Sequence, residues 1–326
     1  MQCNPGDAWA YLMCKPVLQA KTETFRMRDL NELSVTDAVI EQMAATPDAR
    51  LREVMANLVR HLHDFARDVH LTPQEWLQAI GFLTQVGKAC TPARQEFILL
   101  SDVLGLSALV NLMHDKTAVE QGTESSLLGP FYRQDAPSLA LGDTIAGKAA
   151  AGELLVFGRV TDRNGKPLPQ ASVQVWQTDE EGVYDLQKGQ GNTMDMRGNF
   201  RCDAAGRFHF RTVKPLGYLI PMDGPVGRLV HSQDRHGFRP AHIHFLVSAE
   251  GYRELVTALY LADDAHIDSD TVFGVSKALI TSPREADPEA PVKGIPSIRY
   301  DFRLGIAAAE AAGRVGADPS QIVPAH

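Results

Sequence analysis

The hydrophobic pattern of the chain changes its period once, and this change constrains the fold more than any other feature. Between residues 34 and about 116, apolar residues recur at the three- and four-residue spacing of a helix face. From about residue 153, short runs rich in Val and Phe alternate with polar residues, which is the period of strands. Residues 117–152 between the two regions are rich in Gly, Ala, Ser and Pro. The sequence therefore predicts an α+β chain, in which a helical region precedes an antiparallel β-sandwich.

Threonine–proline pairs indicate where helices of the first region begin. They stand at residues 46–47, 72–73 and 91–92, and Glu75 completes a capping box with the second pair. The segment 96–113, EFILLSDVLGLSALVNLM, is apolar on more than one side, so we expect it inside a helical bundle or in an interface between subunits. The segment from Pro47 to His70 is predicted to be a helix with one buried apolar face. That face is formed by Leu51, Val54, Met55, Leu58, Leu62, Phe65 and Val69.

Five apolar runs of the second region are the expected sandwich strands. We divide the chain into an N-terminal extension without an assigned role (1–33), a helical domain (34–120) and a β-sandwich domain (121–326). The part of the chain after Pro283 is rich in proline and acidic residues and is expected to be irregular. The predicted strands are LLVFGRVTD (154–162), ASVQVWQTD (171–179), GRFHFRTV (206–213), AHIHFLVSA (241–249) and LVTALYLA (255–262).

Charge and composition exclude several classes of function. A net charge of −8 argues against nucleic acid or an anionic membrane surface as the main partner. No run approaches the roughly 20 apolar residues of a spanning helix, and the N-terminus lacks the pattern of a secretory signal. The cysteines at 3, 14, 90 and 202 form no CxxC pair, which indicates reduced thiols and a cytoplasmic location, with a Cys3–Cys14 disulfide left open.

The stretch RPAHIHF, residues 239–245, places two histidines two positions apart in a predicted strand. Side chains at positions i and i+2 of a strand point to the same side, so His242 and His244 can reach one metal ion. Imidazole suits zinc, copper, iron or nickel. The alternative is a strand with two partly exposed histidines on its polar face, and the pattern alone does not decide between these interpretations.

Two sets of residues could complete such a site. Asp263 and Asp264 would give a two-histidine, one-carboxylate triad. Tyr184 and Tyr218 each follow a predicted strand closely, where a strand meets its loop and site residues are common. A tyrosine has a pKa of about 10, so it ligates a metal only where the metal displaces its proton, as a hard trivalent ion can.

Four motifs in this order resemble the intradiol ring-cleaving dioxygenases of the catechol 1,2-dioxygenase family. They are ESSLLGPFY, WQTDEEGVYD, PLGYLIPMDGPVGRLV and HGFRPAHIHF, and with the helical segment EFILLSDVLGLS the resemblance covers residues 34–280. It implies one Fe(III) per subunit, held by two tyrosinates and two histidines. It also implies that an aromatic diol or triol and O₂ are the substrates. The positions that match the ligands are Tyr184, Tyr218, His242 and His244.

The resemblance also implies individual roles. Tyr218 matches the tyrosinate that leaves the metal and takes a proton from the substrate. Arg239 matches a residue beside the substrate, where a positive charge favours an anionic ring; without the family, a surface arginine would be the better interpretation. A glutamine of the family falls here at about Ala258, so the role of that glutamine is not carried over.

The pocket positions look most like those of hydroxyquinol 1,2-dioxygenases, which cleave 1,2,4-trihydroxybenzene to 3-hydroxy-cis,cis-muconate and so to maleylacetate. The carboxylate of Asp102 could accept a hydrogen bond from the third hydroxyl, and a site built for that bond rejects a diol without it. Catechol or chlorocatechol cleavage to cis,cis-muconates is the alternative. By resemblance the pocket positions are Leu99, Asp102, Leu127, Leu128, Gly129, Pro130, Phe131, Ile220, Pro221 and Val272.

Two further expectations concern partners. The family usually forms homodimers through its helical region and can hold a phospholipid there, which implies the same for this chain. No nucleic acid or membrane partner is expected, because of the net negative charge. A remote alternative is a metal-free β-sandwich binding module, because GRVTDRNGKPLPQASVQVW also looks like prealbumin-type sandwiches.

Overall fold

The computed structural model describes residues 27–91, 94–116, 122–147, 153–188 and 194–307. Helices fill the first region as predicted, and strands dominate the second. Most of the predicted extension, including Cys3 and Cys14, lies outside the described residues. The helices are α1 (Val35–Gln42), α2 (Ala49–Asp68), α3 (Pro73–Ala89), α4 (Glu96–Val103), α5 (Leu106–Lys116) and, between strands of the second region, α6 (Pro225–Ser232).

The helix α3 begins where its threonine–proline pair predicts. The Glu75 N–H donates to the Thr72 hydroxyl at 3.3 Å, and the Thr72 N–H donates to the Glu75 carboxylate at 2.9 Å. These reciprocal bonds satisfy backbone groups that the first turn leaves free. The prediction at Thr91 was wrong, because the Thr91 backbone pairs with Arg94 in a turn and α4 begins only at Glu96.

The prediction for the start of α2 was also wrong. The helix begins at Ala49 rather than at the proline after Thr46. Asp48 is its N-cap, and its carboxylate accepts hydrogen bonds from the N–H groups of Arg50 and Leu51 at 2.8 and 2.9 Å. A carboxylate is as good a cap as a threonine hydroxyl and also favours the positive end of the helix dipole.

The apolar face of α2 exists but is not buried in the single chain, so this prediction was wrong. Leu51 is 50% exposed, Leu58 47% and Phe65 55%. Charged and polar side chains cover the rest of the helix, as the two-sided pattern of its sequence requires. Helical periodicity identifies a face that favours burial but not the molecule that covers it.

The apolar segment 96–113 forms two helices, α4 and α5, bent by 71° at a break. Gly105 lies at the break with a positive φ of 73°, which glycine adopts without strain. Leu99 and Val103 are buried, whereas Leu109 and other apolar residues of α5 are exposed. No single helix among the described residues is long and apolar enough to span a membrane; α4 and α5 reach that length and composition only when taken together.

The described part of the second region contains eleven strands in three sheets. One sheet has the order β3–β2–β7–β8–β9, a second joins β10, β11 and β4 to β1, and β5 and β6 form a short ribbon. Most pairs are antiparallel, but β1 pairs in parallel with β10 and β11, and β8 does so with β9. The strands are β1 (Glu153–Asp162), β2 (Ser172–Gln177), β3 (Arg197–Arg201), β4 (Arg207–Val213), β5 (Tyr218–Leu219), β6 (Phe238–Arg239), β7 (His242–Ser248), β8 (Leu255–Leu261), β9 (Ile280–Thr281), β10 (Ser297–Arg299) and β11 (Phe302–Leu304).

The two larger sheets share one buried apolar cluster, which confirms the sandwich. Val156 and Phe210 from one sheet and Val175 and Phe245 from the other belong to this cluster. The rings of Phe210 and Phe245 lie 6.3 Å apart between centroids. Burying each such side chain stabilises the fold by roughly 1.5–3 kcal/mol, so the cluster holds the sheets that carry the site.

The segment after Pro283 is mostly irregular in its described part, but it contains two short strands that were not predicted. Its strands β10 and β11 pair with β1, and Ile298 and Phe302 are completely buried. Strands of three residues are too short for an alternating pattern to reveal them. Residues 308–326 lie outside the described residues.

The chain consists of two compact units, each with most of its contacts between its own residues: Met1–Ala79 and Ile80–His326. The helices α4 and α5 therefore belong to the unit that also contains the sheets. The predicted division at residue 120 stays a prediction.

Candidate metal centre and substrate pocket

The strand β7 carries the two histidines and is central in its sheet, between β2 and β8. Ile243 and Phe245 point into the sandwich core. His242 and His244 therefore face the other side of the sheet, as the strand period requires. Each is only 2% exposed, which excludes the interpretation of two partly exposed histidines.

The imidazoles meet at their Nε2 atoms, which lie 3.0 Å apart. The Nδ1–H of His242 donates to the carbonyl of Pro240 at 2.6 Å. With its proton held at Nδ1, His242 has a lone pair at Nε2, the form that ligates metals. His244 is held by Trp176, whose ring stacks on the imidazole with centroids 4.9 Å apart and an angle of 5° between planes.

Tyr184 follows β2 and is completely buried. Its N–H donates to the side chain of Gln187 at 2.9 Å in a short 3-10 helix, and its ring stacks on Phe131 with centroids 4.4 Å apart. A buried ion pair of Arg197 with Asp185 holds the same turn, and Arg197 also donates to the carbonyl of Phe131 at 3.2 Å. These contacts fix both the main chain and the ring of Tyr184.

Tyr218 begins β5 and is paired in register with Arg239 on β6. Its ring is nearly perpendicular to that of Tyr184, with centroids 5.4 Å apart, and lies 5.8 Å from the ring of His242. The hydroxyl of Tyr184 lies 3.4 Å from Nε2 of His242. The structure therefore brings the two tyrosines and the two histidines together around one point.

The spacing of these donors suits one metal ion. Two ligand atoms about 2.1 Å from an ion and at right angles to each other lie about 3.0 Å apart. The measured separations, 3.0 Å between the imidazole nitrogens and 3.4 Å from phenol to imidazole, match this geometry. The described residues contain no group of three His, Cys, Asp or Glu side chains that could hold a metal. The candidate metal ligands are therefore the two phenols and the two imidazoles.

The carboxylate triad left open by the sequence is therefore not formed. Asp263 pairs with Lys214 at 2.5 Å. Asp264 accepts hydrogen bonds from the N–H groups of Ala241 and His266, at 2.9 and 2.8 Å. Both carboxylates are used in loop contacts rather than beside the imidazoles.

Burial shifts the pKa of every candidate ligand toward its neutral form. For His242 burial and the charge of Arg239 lower the pKa well below its usual value, and for His244 burial and His242 do the same. Burial raises the pKa of Tyr184 and of Tyr218. The imidazoles are thus ready to ligate, whereas each phenol keeps its proton until a cation displaces it.

Among the described residues, Arg239 is the one charged side chain that lies within hydrogen-bond distance of a candidate metal ligand. It is 2% exposed, and its Nη1 lies 3.2 Å from Nε2 of His242. Burial is the largest single effect and opposes its charge, but Asp270, Tyr218 and Tyr260 together outweigh burial and keep the pKa of the guanidinium well above its usual value. Arg239 is therefore a buried cation and not a surface residue.

Two of the predicted pocket residues contact these donors, and four others form one buried apolar cluster. Phe131 packs against both tyrosine rings. Gly129 has a positive φ of 73°, and a side chain there would begin 3.5 Å from Nε2 of His244, so glycine leaves this approach open. Leu128 is 37% exposed, and Pro130 and Pro221 are partly exposed and outside the cluster. The residues that form one buried apolar cluster are Leu99, Leu127, Ile220 and Val272.

Asp102 lies on α4, the helix that contributes Leu99 to this cluster, and is 4% exposed. Burial raises the pKa of its carboxyl, while a hydrogen bond with Ser107 and the charge of Arg239 act in the opposite direction. Asp102 is therefore not an acid on the exposed surface of its helix. A buried carboxyl without a cation pressed against it can hydrogen-bond a polar ligand.

Three residues at the site were missed by sequence reasoning. Tyr260 on β8 pairs with His242, and its hydroxyl contacts Arg239 at 3.2 Å and Ser126 at 2.8 Å. Strand alternation could have identified Tyr260. It lies two residues after Ala258, the position that matches the family's glutamine, and therefore on the same face of the strand. Trp176 and Asp270 gave none, because stacking and ion pairing depend on segments that are distant in sequence.

Comparison with known families agrees with this geometry. The family model described as "Catechol dioxygenase N terminus" matches residues 48–122, and the one described as "Dioxygenase" matches residues 127–305. The chain is 46% identical over 254 residues to a 6-chlorohydroxyquinol 1,2-dioxygenase of Cupriavidus pinatubonensis, covering 78% of this chain and 92% of the relative. It is 44% identical over 271 residues to a hydroxyquinol 1,2-dioxygenase of Rhodococcus opacus, covering 83% and 90%.

Solved structures show the same likeness. A hydroxyquinol 1,2-dioxygenase from Pseudomonas putida superimposes with a TM-score of 0.76 at 39% identity, covering 85% of this chain and 99% of that one. A catechol 1,2-dioxygenase from an Acinetobacter species gives a TM-score of 0.74 at 26% identity, covering 87% and 95%. Both the helical region and the sandwich are shared.

Proposed function

Because the chain belongs to the intradiol ring-cleavage dioxygenase family, we propose that it cleaves hydroxyquinol with O₂ between the two adjacent hydroxyl-bearing carbons. The product would be 3-hydroxy-cis,cis-muconate, the tautomer of maleylacetate. The names of the relatives, which contain hydroxyquinol or a chlorinated hydroxyquinol, support this substrate class. The observation that carries the proposal is the meeting of two phenols and two imidazoles, with donor separations of 3.0 and 3.4 Å.

In this proposal Tyr184, Tyr218, His242 and His244 hold one Fe(III) per subunit. When bound, the ferric ion supplies the Lewis acidity that displaces protons from phenols and from the diol. The donor set supports this choice, since phenolate oxygen suits a hard trivalent ion and imidazole suits iron.

The chain supplies its own proton acceptor and its own positive charge. We assign proton uptake to the phenolate oxygen of Tyr218, whose side chain hydrogen-bonds with Arg239 and whose ring packs in a buried cluster with Phe131. The guanidinium favours the phenolate form of Tyr218 and an anionic substrate ring. A fixed charge in a site without water stabilises developing charge far better than the same charge in solvent.

Asp102 is the residue to which we assign selection of the third hydroxyl. Its burial and the absence of a directly paired cation support this role. Binding a diol that lacks the hydroxyl would leave the carboxyl with Ser107 as a partner but without the bond to the ligand, which costs free energy.

The remaining parts of the proposal concern assembly and location. The exposed apolar face of α2 supports a homodimer formed through the helical region, and exposed apolar side chains of this kind are also what the chains of a phospholipid would contact. Cys90 and Cys202 are free thiols, which supports a reducing cytoplasmic location.

Oxygen uptake tests the proposal directly. Iron-loaded protein is given hydroxyquinol, catechol or 4-chlorocatechol, and the products are identified by mass spectrometry. We expect the highest kcat/KM with hydroxyquinol and a reddish-brown protein, because phenolate-to-Fe(III) charge transfer absorbs visible light. Higher kcat/KM with catechol or the chlorocatechol would favour the alternative substrates, and a colourless, inactive protein would favour a metal-free binding module.

A further inference from the structure

Asp270 is a buried acid that the proposed reaction does not yet use. Its side chain is 2% exposed and lies against that of Arg239, which is 3% exposed. Its Oδ1 accepts a hydrogen bond from Nε of Arg239 at 3.2 Å, and its Oδ2 accepts one from Nη2 at 3.4 Å. Two parallel bonds of this kind fix the plane of a guanidinium as well as its position.

The other donors of Arg239 show which way the guanidinium is turned. Nη2 also donates to the Tyr260 hydroxyl at 3.2 Å, whereas Nη1 lies 3.2 Å from Nε2 of His242. Asp270 and Tyr260 thus engage Nε and Nη2, and Nη1 is the end left facing the candidate ligands. Since the guanidinium is planar, fixing one edge fixes the direction of the other.

The same carboxylate organises the loop that follows it. Its oxygens accept hydrogen bonds from the N–H groups of Val272 at 3.3 Å and Gly274 at 3.0 Å. Val272 is 1% exposed and belongs to the pocket cluster. Gly274 fits where no side chain could, because a Cβ there would lie 2.6 Å from the Tyr260 hydroxyl and 3.1 Å from Nη2 of Arg239.

We propose that Asp270 is a positioning residue that directs the charge of Arg239 toward the reacting ring, and that Gly274 is required for this arrangement because it leaves room for it. The inference deepens the proposed function and rests on it, since the charge is assigned to the substrate. The hydrogen bonds of Asp270 are with Arg239 and with its own loop, so its role in the proposal is exerted through Arg239.

The first test compares Asp270→Asn with Asp268→Asn, an exposed acid of the same loop, in iron-loaded protein. Asparagine keeps an oxygen for the loop N–H groups but removes the charge that holds the guanidinium. We expect kcat with hydroxyquinol to fall about tenfold or more, because the charge acts mainly in the transition state. The dissociation constant of hydroxyquinol without O₂ should change less than about threefold, and Asp268→Asn should match the wild type.

A double-mutant cycle shows whether Asp270 acts through Arg239. In an Arg239→Gln background, Asp270→Asn should lower kcat by less than about threefold further, because the group to be positioned is gone. Losses that simply multiply, or wild-type kcat in Asp270→Asn, would overturn the proposal. Gly274→Ala, which keeps every charge, should lower kcat in the same way, and it decides the question if Asp270→Asn does not fold.

Crystal structures separate this inference from the proposed function. In Asp270→Asn we expect Nη1 of Arg239 to have left the position beside His242, a result that does not depend on turnover. An unmoved guanidinium refutes positioning by Asp270. A wild-type protein that consumes no O₂ with any of the three diols refutes the proposed function instead.

Discussion

Tyr218 has two roles in the proposed chemistry, because its phenol oxygen is both a ligand of the metal and a proton acceptor. Burial raises the pKa of its phenol, so the ionised form depends on the neighbouring cations. Tyr218→Phe removes that oxygen and leaves the ring. We expect kcat for hydroxyquinol to fall by about 100-fold or more, as loss of an acid–base group does, and the visible absorption band to shift or bleach.

Stopped-flow spectroscopy and O₂ uptake on the iron-loaded variant check this expectation. Tyr252→Phe, a tyrosine outside the site, is the matched control and should keep both the band and the activity. Full turnover in Tyr218→Phe would contradict the assignment of Tyr218.

Asp102 should decide between substrates rather than set the rate for all of them. In Asp102→Ala we expect kcat/KM for hydroxyquinol to fall by about 10–100-fold, the value of one hydrogen bond to a charged group. Activity on catechol should change much less, because catechol has no third hydroxyl to lose. The ratio of the two kcat/KM values in wild type and variant is the measurement, and equal losses on both substrates would remove Asp102 from substrate selection.

The thiol of Cys202 should be inert in the folded protein. Burial raises the pKa of this thiol to about 12, well above the usual value for cysteine. The folded state thus favours the protonated form, and the stability this contributes is complete below pH of about 8.5 and is lost as the pH rises toward 12.

Iodoacetamide labelling at pH 8, read by mass spectrometry, checks this prediction. Cys202 should be labelled only after denaturation, whereas Cys90, which is partly exposed, should react in the native protein and serves as the internal comparison. Rapid native labelling of Cys202 would show that the segment directly after β3 opens far more often than its burial indicates.

For single residues, the sequence predicts contacts between side chains of one strand, but it does not predict contacts between segments that only the folded chain brings together. His242 and His244 follow from strand spacing, because two positions along a strand guarantee one side. Tyr184 and Tyr218 needed a family resemblance, since nothing local distinguishes them from other tyrosines. Asp270 could not be found, because its pairing with Arg239 depends on how a loop packs beside β6.

Among the elements, α2 departs most clearly from its expected burial. Its apolar stripe includes Leu58, Leu62 and Phe65, all about half exposed. Leu58→Glu should abolish the proposed homodimer, because a carboxylate buried in an apolar interface costs several kcal/mol. Arg60→Glu introduces the same side chain on the polar side of the helix and should leave the dimer intact.

Light scattering after size exclusion at micromolar protein measures the outcome. Wild type and Arg60→Glu should have twice the mass of one chain, and Leu58→Glu the mass of one. A wild-type protein of single-chain mass, or a dimer in Leu58→Glu, would show that α2 is not the dimer contact.

Helix ends were predictable where the first turn has a single candidate cap. Thr72 has no competitor and caps α3, whereas Asp48 follows the threonine–proline pair of α2 and replaces Thr46. Strands β10 and β11 were missed for a different reason, since their pairing with β1 is parallel and distant in sequence. Such pairing leaves no trace in a three-residue pattern.

For the whole molecule, removal of the proposed ferric ion should lower the free energy of unfolding as well as the activity. An ion that binds only the folded state stabilises it by about 4 kcal/mol at a thousandfold excess over its dissociation constant. Chelation should therefore lower Tm and abolish turnover, while the far-ultraviolet circular dichroism stays unchanged because the apolar core between the sheets does not include the ligands.

Differential scanning calorimetry before and after chelation, and again after iron is restored, checks this expectation. Zinc is the control ion: it should recover part of Tm without recovering O₂ uptake. An unchanged Tm on chelation would mean that the native protein does not bind a metal at the four candidate ligands.

The overall α+β architecture was predictable because two hydrophobic periods separate cleanly along the chain. The assignment of α4 and α5 to the unit that contains the sheets was not, because a helix pattern does not state its neighbour. Gly105 and the bend it permits are visible in the sequence only as a single glycine.

Leu99 and Asp102 place one wall of the pocket on α4, whereas all four candidate ligands come from the sandwich region. On the proposed function, residues of α4 would therefore contribute to the choice of substrate, whereas the candidate ligands come from other stretches of the gene. Substitutions in the few codons of α4 should then change which aromatic ring is accepted and leave the four candidate ligands unchanged.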